Sequence, residues 1–408
     1  MATIDHEENP AQVKQAELVV GIPSHNGADY IGYATREAAS GLVEHFSDKN
    51  SVIINCDSYS EDGTKEAFLQ TPTEVPKIYL TTSQGMVGRG HSLRSLLTKV
   101  VELQARAVIV VDCNLQAITP LWIKNLGEPL FAGFGFVSPL YVRHKYDGVL
   151  ANNIVYPLTR ALYGRRVRQP LGGDFGFSGD LAETFLQHPT WNDAVGKAGI
   201  DVWMTTVAIS RGLPICQSFL GKPRTQRHKE VQPPRPETFC QVVGTVFDLM
   251  IYFQDLWSRI KWSKPTAIFG FGIGEIEAPP PLEVSESGLY EAFVQGFASY
   301  RQRWEGILES NIFNKLNEIR ELPLTHFSFP SQLWAQILFR YAIAYKSGAE
   351  DRQAMLASLQ PIFVGKILSF IKKTERMSIQ QAEEYIENEC MIFEEMKPYL
   401  LSEWDESK

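Results

Sequence analysis

The chain lacks the features that mark several large classes of protein. Its 408 residues include only five cysteines and no Cys-x-x-Cys pair, which argues against a disulfide framework and a cysteine-ligated zinc site. The formal net charge is −8, so the basic signature of a nucleic-acid-binding protein is missing. No apolar run reaches the roughly 18 residues of a membrane span, and the polar start of the chain is unlike a signal peptide. We therefore expect a cytoplasmic protein with neither a transmembrane segment nor a nucleic-acid partner.

The sequence divides into two halves of different pattern. In the first, short apolar runs alternate with helical spacing such as that of 30–45, which predicts βαβ units and a mainly parallel sheet. The expected strands are 18–22, 51–55, 77–80, 107–111 and 134–142. The proline-rich segment 229–236 interrupts this pattern. We expect a polar tail over 1–16, an α/β domain over 17–230 and a helical region over 231–408.

The second half has mostly helical spacing. The expected helices are 239–260, 289–308, 331–345 and 378–396. Ser378 and Gln381 have the spacing of a capping box at the start of the last one. The apolar positions of these helices can pack on the first domain or form a homodimer, and the pattern leaves both open.

A carboxylate and an amide follow the buried strand that ends near Val111. Asp112 and Asn114 are two residues apart, so both side chains point the same way at the carboxyl end of the strand. In an open α/β sheet, ligands bind outside this end. Hard oxygen ligands there suit Mg²⁺ or Mn²⁺ bridging a diphosphate, although the same residues also occur in ordinary β-turns.

Polar side chains also follow the first two strands. Pro23 fixes the turn after the first strand, and Ser24 and Asn26 offer hydrogen bonds in the crevice where a nucleotide would lie. After the second strand, Asp57 can accept a hydrogen bond from a base ring N–H or a ribose hydroxyl. Helix capping and turn formation are the alternative roles for these residues.

A glycine-rich loop leads into the next helical pattern. Its glycines lack the spacing of a dinucleotide-binding motif or a P-loop. Gly88 and Arg89, with His91, can nevertheless hold a phosphate at the start of a helix, where Arg89 would act as a bidentate clamp. A solvated loop with an exposed arginine is the alternative.

In this order, the motifs resemble the nucleotide-diphospho-sugar glycosyltransferases of the glycosyltransferase A fold. The residues that carry the resemblance are Gly21-Ile-Pro23, Asp57-Ser-Tyr-Ser-Glu-Asp-Gly-Thr64, Gly88-Arg-Gly-His-Ser-Leu-Arg94 and Val111-Asp-Cys-Asn114. Three later segments look like the retaining mannosylglycerate, glucosylglycerate and glucosyl-3-phosphoglycerate synthases. They are Gln169-Pro-Leu-Gly-Gly-Asp174, Gly199-Ile-Asp201 and the stretch from Gly221 to His228. The resemblance covers about 17–228 and implies a Rossmann-like, mainly parallel catalytic domain that binds a nucleotide sugar, followed by a mostly helical region.

The resemblance also implies roles for single residues on the donor side. The donor contacts would be Pro23, Ser24, Asp57, Gly88, Arg89 and Asp112. The ligands of a divalent metal, Mg²⁺ or Mn²⁺, would be Asp112, Asn114 and His228. Asn114 stands where the group has a second aspartate and Arg89 where it usually has a lysine, and the spacer before His228 is longer than usual.

On the acceptor side, the resemblance implies a cleft formed by 171–174. Leu171, Asp174 and Asp201 would be the catalytic residues, and Gly172 and Gly173 would let backbone groups approach the acceptor. Upstream, Arg165, Arg166 and Arg168 form a basic run in an acidic chain, which favours capture of a small anion. Arg168 is the expected contact because it lies nearest to the motif. The predicted reaction is hexose transfer from a UDP- or GDP-sugar, with retention, to a small hydroxyl acceptor such as glycerate or phosphoglycerate.

Three other functions are compatible with the same residues. A glycosyltransferase could act on a polymer or lipid, because the segment 247–262 is rich in aromatic side chains. A sugar-phosphate nucleotidyltransferase would release pyrophosphate from a nucleoside triphosphate. A non-catalytic nucleotide-sugar binder would bind the donor without turnover. This alternative is compatible with Asn114, which carries no charge to bind a metal.

Overall fold

The computed structural model describes residues 4–113, 117–223, 230–270, 279–348 and 351–406. They form two compact units. The sheet unit comprises Met1–Val142, Val167–Thr225 and Thr266–Pro279, and the helical unit comprises Arg143–Arg166, Gln226–Pro265 and Pro280–Lys408. The chain thus passes between the units several times, whereas the sequence pattern marks one boundary near residue 230. The segment 143–166 carries no shift in composition that marks its boundaries, whereas 266–279 ends at the proline run 279–281.

The sheet unit contains a mixed sheet of nine described strands. They are β1 (His6–Glu8), β2 (Leu18–Ser24), β3 (Ser51–Asp57), β4 (Lys77–Thr81), β5 (Ala107–Val110), β6 (Phe136–Val142), β7 (Phe175–Ser178), β8 (Ile215–Pro223) and β9 (Ala267–Phe269). Their order across the sheet is β1-β4-β3-β2-β5-β7-β6-β8-β9. Strand β1 pairs antiparallel with β4, and β7 pairs antiparallel with both neighbours, while the other pairs are parallel. The predicted mainly parallel sheet is confirmed.

Helices connect the strands of this unit. They are α1 (Ala28–His45), α2 (Thr64–Gln70), α3 (Arg89–Glu102), α4 (Pro120–Phe131), α6 (Gly179–Gln187), α7 (Asp193–Gly196) and α8 (Ile200–Ser210); α5 belongs to the helical unit. Every residue of β2, β3 and β5 is buried, as expected of apolar runs in a parallel sheet covered on both faces.

The order of the strands reverses at β2. From β2 the chain moves outward through β3 and β4 and then returns to β5 on the other side of β2. Ser24 and Asp57 end the two parallel strands in register, and Val111 extends the β5 ladder by donating to the carbonyl of Gly21. Ligands of doubly wound sheets bind in the crevice at such a switch point, outside the carboxyl ends of the strands. The polar residues at the ends of the first strands lie at this crevice.

Strand β7 corrects one sequence interpretation. The apolar spacing after Asp174 predicts a helix that Asp174 would cap, but Phe175–Ser178 is a strand, and helix α6 begins only at Gly179. The strand runs antiparallel between β5 and β6, with Val110 opposite Phe175. This insertion brings Asp174 next to the end of β5. Asp201, in contrast, does lie in the first turn of a helix, α8.

The helical unit contains the long helices of the second half. They are α5 (Tyr156–Tyr163), α9 (Pro236–Tyr252), α10 (Gln254–Trp257), α11 (Glu286–Ile307), α12 (Ser310–Glu321), α13 (Ser331–Ser347), α14 (Arg352–Thr374), α15 (Ile379–Glu395) and α16 (Lys397–Glu406). The mostly helical C-terminal region is thus confirmed, and so is the capping box of Ser378 and Gln381. Helix α14 is long and apolar enough to cross a membrane, but 78% of its most apolar window is buried, as in the core helix of a globular unit.

Candidate functional site

A cavity of about 250 Å³ opens at the switch point of the sheet unit. Its lining residues are Pro23, Ser24, His25, Ser58, Val87, Gly88, Arg89, Ser92 and Asp112. Five of the residues predicted from the sequence to contact the donor therefore line one cavity, namely Pro23, Ser24, Gly88, Arg89 and Asp112. They come from the ends of β2 and β5 and from the start of α3, segments that are distant in the sequence.

Asp57 lies behind the cavity wall. It is fully buried, and its carboxylate accepts hydrogen bonds from the Ser24 hydroxyl (2.6 Å), from the Ser60 N–H and hydroxyl (2.7 and 2.6 Å) and from the Tyr79 hydroxyl (3.2 Å). These bonds occupy both carboxylate oxygens and fix the loops after β2 and β3. In this structure Asp57 orients Ser24, a residue of the lining, and the predicted contact from Asp57 to a nucleotide stays a prediction.

The start of α3 packs tightly against the loop 195–197. A Cβ atom on Gly90 would lie 1.9 Å from the carbonyl oxygen of Val195, and one on Gly88 would lie 2.6 Å from that of Gly196. Gly88 also has φ +156°, and its N–H donates to the Ser58 hydroxyl over 2.7 Å. Only glycine lets the backbone come this close, so the two glycines place the N-terminus of α3 at the cavity. A helix N-terminus carries partial positive charge and favours anions.

Arg89 connects the cavity to two other predicted site segments. Its Nε donates to Oδ1 of Asp201 over 3.1 Å, and its Nη2 donates to the carbonyl oxygen of Gly173 over 2.5 Å. Burial by itself would lower the pKa of Arg89, but the carboxylates of Asp201, Asp112 and Asp174 raise it above its ordinary value. The guanidinium is therefore charged at every physiological pH, and its side chain is still 22% exposed.

Asp174 holds Asp112, which lies two residues beyond the end of β5. The backbone N–H of Asp112 donates to Oδ1 of Asp174 over 2.8 Å, and the Tyr141 hydroxyl donates to Oδ2. The Asp174 side chain is fully buried, whereas Asp112 is partly exposed and lines the cavity. Because both oxygens of Asp174 already accept hydrogen bonds, its observed role is to position Asp112. Its predicted action beside a sugar stays a prediction.

The predicted acceptor motif forms a tight turn before β7. Gly172 donates its N–H to the carbonyl of Gln169 over 3.0 Å, and a Cβ atom on Gly172 would lie 2.3 Å from Pro139, so glycine is required there. Gly173 presents its carbonyl to Arg89, and Leu171 is partly exposed. Arg168 precedes the turn, and its backbone N–H donates to the Gln217 side chain over 2.6 Å. The turn is therefore joined to the cavity through Arg89.

His25 is a lining residue to which the sequence analysis assigns no role. Its Nδ1 lies 2.7 Å from the carbonyl oxygen of Ser58. A carbonyl can only accept, so Nδ1 carries the proton and Nε2 is left as the acceptor of the neutral ring. Its position directly after β2, at the carboxyl end beside the switch point, is the sequence signal that could have identified it.

A divalent metal fits the charge of this region. Asn114 and His228, two of the three predicted ligands, lie outside the described residues. Within the described ranges, no group of three or more His, Cys, Asp or Glu side chains is placed to hold a metal. Magnesium, however, is commonly bound by one or two carboxylates together with substrate phosphates. Three carboxylates act on the guanidinium of Arg89, and a divalent cation would offset the negative charge that a diphosphate adds beside Asp112.

Comparison with known proteins gives structural neighbours only. Neither a model of a protein family nor a curated protein sequence matches the chain. A crystal structure of glucosyl-3-phosphoglycerate synthase from Mycobacterium tuberculosis with Mn²⁺, UDP and glucosyl-3-phosphoglycerate is 22% identical, with a TM-score of 0.43 over 58% of this chain and 79% of that one. A structure of the same enzyme with Mg²⁺ and UDP is 21% identical, with a TM-score of 0.43 over 58% of this chain and 79% of that one.

A third structure of that enzyme, with Mn²⁺, UDP and phosphoglyceric acid, gives 20% identity and a TM-score of 0.42, covering 58% of this chain and 78% of that one. With identities below 25% and TM-scores below 0.5, this likeness assigns no activity to the chain.

Proposed function

We propose that the chain is a metal-dependent glycosyltransferase that moves a hexose from a UDP- or GDP-sugar to a small anionic acceptor, with retention of the anomeric configuration. The observation that carries the proposal is that Arg89 and Asp112 line one cavity at the switch point of the sheet. A cation at a helix N-terminus suits a diphosphate, and an adjacent, partly exposed carboxylate suits a metal that bridges it. Neither residue alone would distinguish this function from a simple anion site.

The donor would lie across the ends of β2 and β5. Arg89 and the first backbone N–H groups of α3 would bind the diphosphate, since both offer positive charge at a fixed position. Pro23 and Ser24 would face the nucleoside, with Ser24 oriented by the buried Asp57. His25 and Ser58 complete that side of the cavity. This arrangement orients the donor before any chemistry takes place.

Asp112 would hold the metal, and Asn114 and His228 are proposed as further ligands from the sequence. When bound, Mg²⁺ or Mn²⁺ neutralises charge on the departing diphosphate. Of the protein groups, Arg89 stabilises the same charge and Asp174 keeps Asp112 in place through its backbone N–H. Asp112 needs this support because it lies beyond the last residue of β5, outside the regular ladder.

The acceptor would bind at the turn 171–173, near Arg168. Gly173 and Asp201 both hold Arg89, so a group bound at this turn lies next to the donor's diphosphate. A retaining transfer of this kind needs no dedicated protein base, because the leaving phosphate oxygen can take the acceptor's proton. Glycerate and phosphoglycerate are the proposed acceptors, since Arg168 offers a planar fork for carboxylate or phosphate.

The test is a transfer assay with the purified full chain. UDP-, GDP- and ADP-linked glucose and mannose are offered with glycerate, 3-phosphoglycerate or neutral glycerol, in Mn²⁺ or in EDTA. We expect an α-linked glycoside of an anionic acceptor, formed only with metal, with its configuration read by NMR. The Asp112→Ala variant should be inactive, whereas Asp48→Ala, which removes a 73% exposed carboxylate elsewhere, should be fully active.

Three results would each indicate a different function. Pyrophosphate release from a nucleoside triphosphate would indicate a nucleotidyltransferase. Transfer to lipid extracts or glycans but not to glycerate would indicate a larger acceptor. Donor binding without turnover on any acceptor would indicate a non-catalytic binder.

A further inference from the structure

The loop after α10 exposes an aromatic ring between basic side chains. Trp262 is 67% exposed, more than any other large hydrophobic side chain in the described part of the chain. Arg259, Lys261 and Lys264 lie beside it in the sequence and are exposed as well. Trp262 has no part in the cavity of the sheet unit, and the proposed transfer makes no use of it.

A second basic segment lies against this loop within the helical unit. Arg166 donates its N–H to the carbonyl of Lys264 (3.2 Å), and Lys264 donates its N–H to the carbonyl of Gly164 (3.0 Å). The Nε of Arg166 also donates to the Ser263 hydroxyl over 3.0 Å. These bonds fix Arg165 and Arg166 beside the loop. The resulting surface, called the basic platform below, consists of Arg165, Arg166, Arg259, Lys261, Trp262 and Lys264.

The five cations of the platform are unpaired within the described part of the chain. None of them forms an ion pair with a carboxylate of the described residues. Glu394 and Glu387 lie close by, but Arg160 binds both of them, at 2.6 and 2.5 Å, and the Ser263 hydroxyl also donates to Glu394. The chain has eight more acidic than basic side chains, so a group of five unpaired cations is not explained by its average composition. Such a group attracts an anionic surface.

We propose that the basic platform docks on membranes that contain anionic phospholipids. Clusters of four to eight Lys and Arg on a surface bind anionic lipid headgroups, each cation adding about fivefold in affinity. Tryptophan prefers the headgroup level of a bilayer, where its ring is half in apolar surroundings and its N–H reaches water. The platform combines both kinds of contact, a cluster of cations and an exposed tryptophan.

Single-stranded nucleic acid is the competing polyanion. Its binding sites stack successive bases on several aromatic side chains, whereas the platform carries Trp262 as its one exposed ring. Nucleic-acid-binding domains are also strongly basic as a whole, and this chain has a pI of about 5.6. The aromatic and charge pattern therefore favours the membrane surface.

The proposal is tested by co-sedimentation of the full chain with vesicles at low and high salt. One set of vesicles is phosphatidylcholine, and the other contains phosphatidylglycerol in addition. We expect binding to the anionic vesicles only, weakened by salt because exposed charges are screened. The Lys261→Ala/Lys264→Ala variant should bind about 25-fold more weakly, from two contributions of about fivefold each. Trp262→Ser should also bind more weakly, and Trp262→Phe should retain more of the binding.

Control variants test whether vesicle binding depends on the platform itself or only on the overall charge of the chain. Lys315→Ala/Arg376→Ala removes two exposed cations of other helical-unit segments, and Leu121→Ala removes a 45% exposed apolar side chain. Both should bind vesicles like the parent. Equal binding to neutral and anionic vesicles, no binding to either, or equal losses in the platform and control variants would overturn the proposal. So would tighter binding to polyuridylate that the platform variants abolish. Transfer activity without vesicles is measured in parallel and is expected to be unchanged in all five variants.

Discussion

The backbone N–H of Asp112 donates a hydrogen bond to the buried carboxylate of Asp174, 62 residues away in the sequence. Removing that carboxylate leaves the Asp112 N–H and the Tyr141 hydroxyl without this acceptor. Asp174→Ala should therefore lower the free energy of unfolding by about 1–3 kcal/mol, measured in urea. It should also raise the Mn²⁺ concentration needed for half-maximal transfer, because Asp112 is no longer held in place.

Two further variants control this prediction. Tyr141→Phe removes only one of the two bonds and should have a smaller effect on both quantities. Asp48→Ala, at an exposed site, should change neither. An Asp174→Ala protein with parental stability and parental Mn²⁺ dependence would show that the hydrogen bond has no role in the site.

Arg89 is the cation of the cavity, and its removal should weaken nucleotide binding. A charged hydrogen bond to phosphate contributes about 2 kcal/mol, so Arg89→Ala should raise the Kd for UDP or GDP about 30-fold in calorimetry. Arg89→Lys keeps the charge but loses the fork that reaches Asp201 and Gly173, and should recover only part of the affinity. Arg36→Ala, which removes an exposed arginine of α1, should bind nucleotide normally.

Gly90 controls how closely α3 approaches the loop 195–197. In Gly90→Ala the new Cβ atom would lie 1.9 Å from a backbone oxygen, so the helix start must move. We expect a loss of about 1–3 kcal/mol in stability together with weaker nucleotide binding. Gly85→Ala introduces the same atom into open space in the preceding loop and should keep both properties. Unchanged nucleotide affinity in Gly90→Ala would show that the start of α3 has no part in nucleotide binding.

Lys397 makes the stability of the helical unit depend on pH. Burial lowers its pKa from 10.5 to about 8, while its Nζ still donates to the carbonyls of Ala161 and Ile260. Between these two pH values the unfolded chain binds more protons than the folded one, so stability should rise with pH across this window and level off above it. The urea midpoint of unfolding is measured across this pH range for the parent and for Lys397→Met. The rise in stability should be absent in Lys397→Met. Parallel pH curves for the two proteins would rule out Lys397 as the cause.

The sequence identified the elements that obey simple patterns. Strands β2 and β3 were predictable because their residues form short apolar runs, and the polar residues at their ends mark the edge of the sheet where ligands bind. Ser378 and Gln381 were predictable as a capping box because this motif is local. In each case the physical cause lies within a few neighbouring residues.

The remaining features depend on contacts that no local pattern contains. Strand β7 was missed because its four residues follow a glycine turn and pair antiparallel between two distant strands. The bond between Asp174 and Asp112 follows from that insertion, so it was missed as well. Helix α14 was missed because its apolar residues surround the helix instead of forming one stripe. Asn114 and His228 lie outside the described residues, and their roles stay predictions.

We expect a nucleotide diphosphate and a divalent metal to bind together at the end of β5. Calorimetric titration of UDP and GDP into the parent and Asp112→Ala, in Mn²⁺ and in EDTA, tests it most directly. We expect the parent to bind the nucleotides strongly in Mn²⁺ and at least tens-fold more weakly in EDTA, and Asp112→Ala to bind them weakly under both conditions. Equally tight binding in EDTA, or parental Mn²⁺-dependent binding by Asp112→Ala, would contradict it.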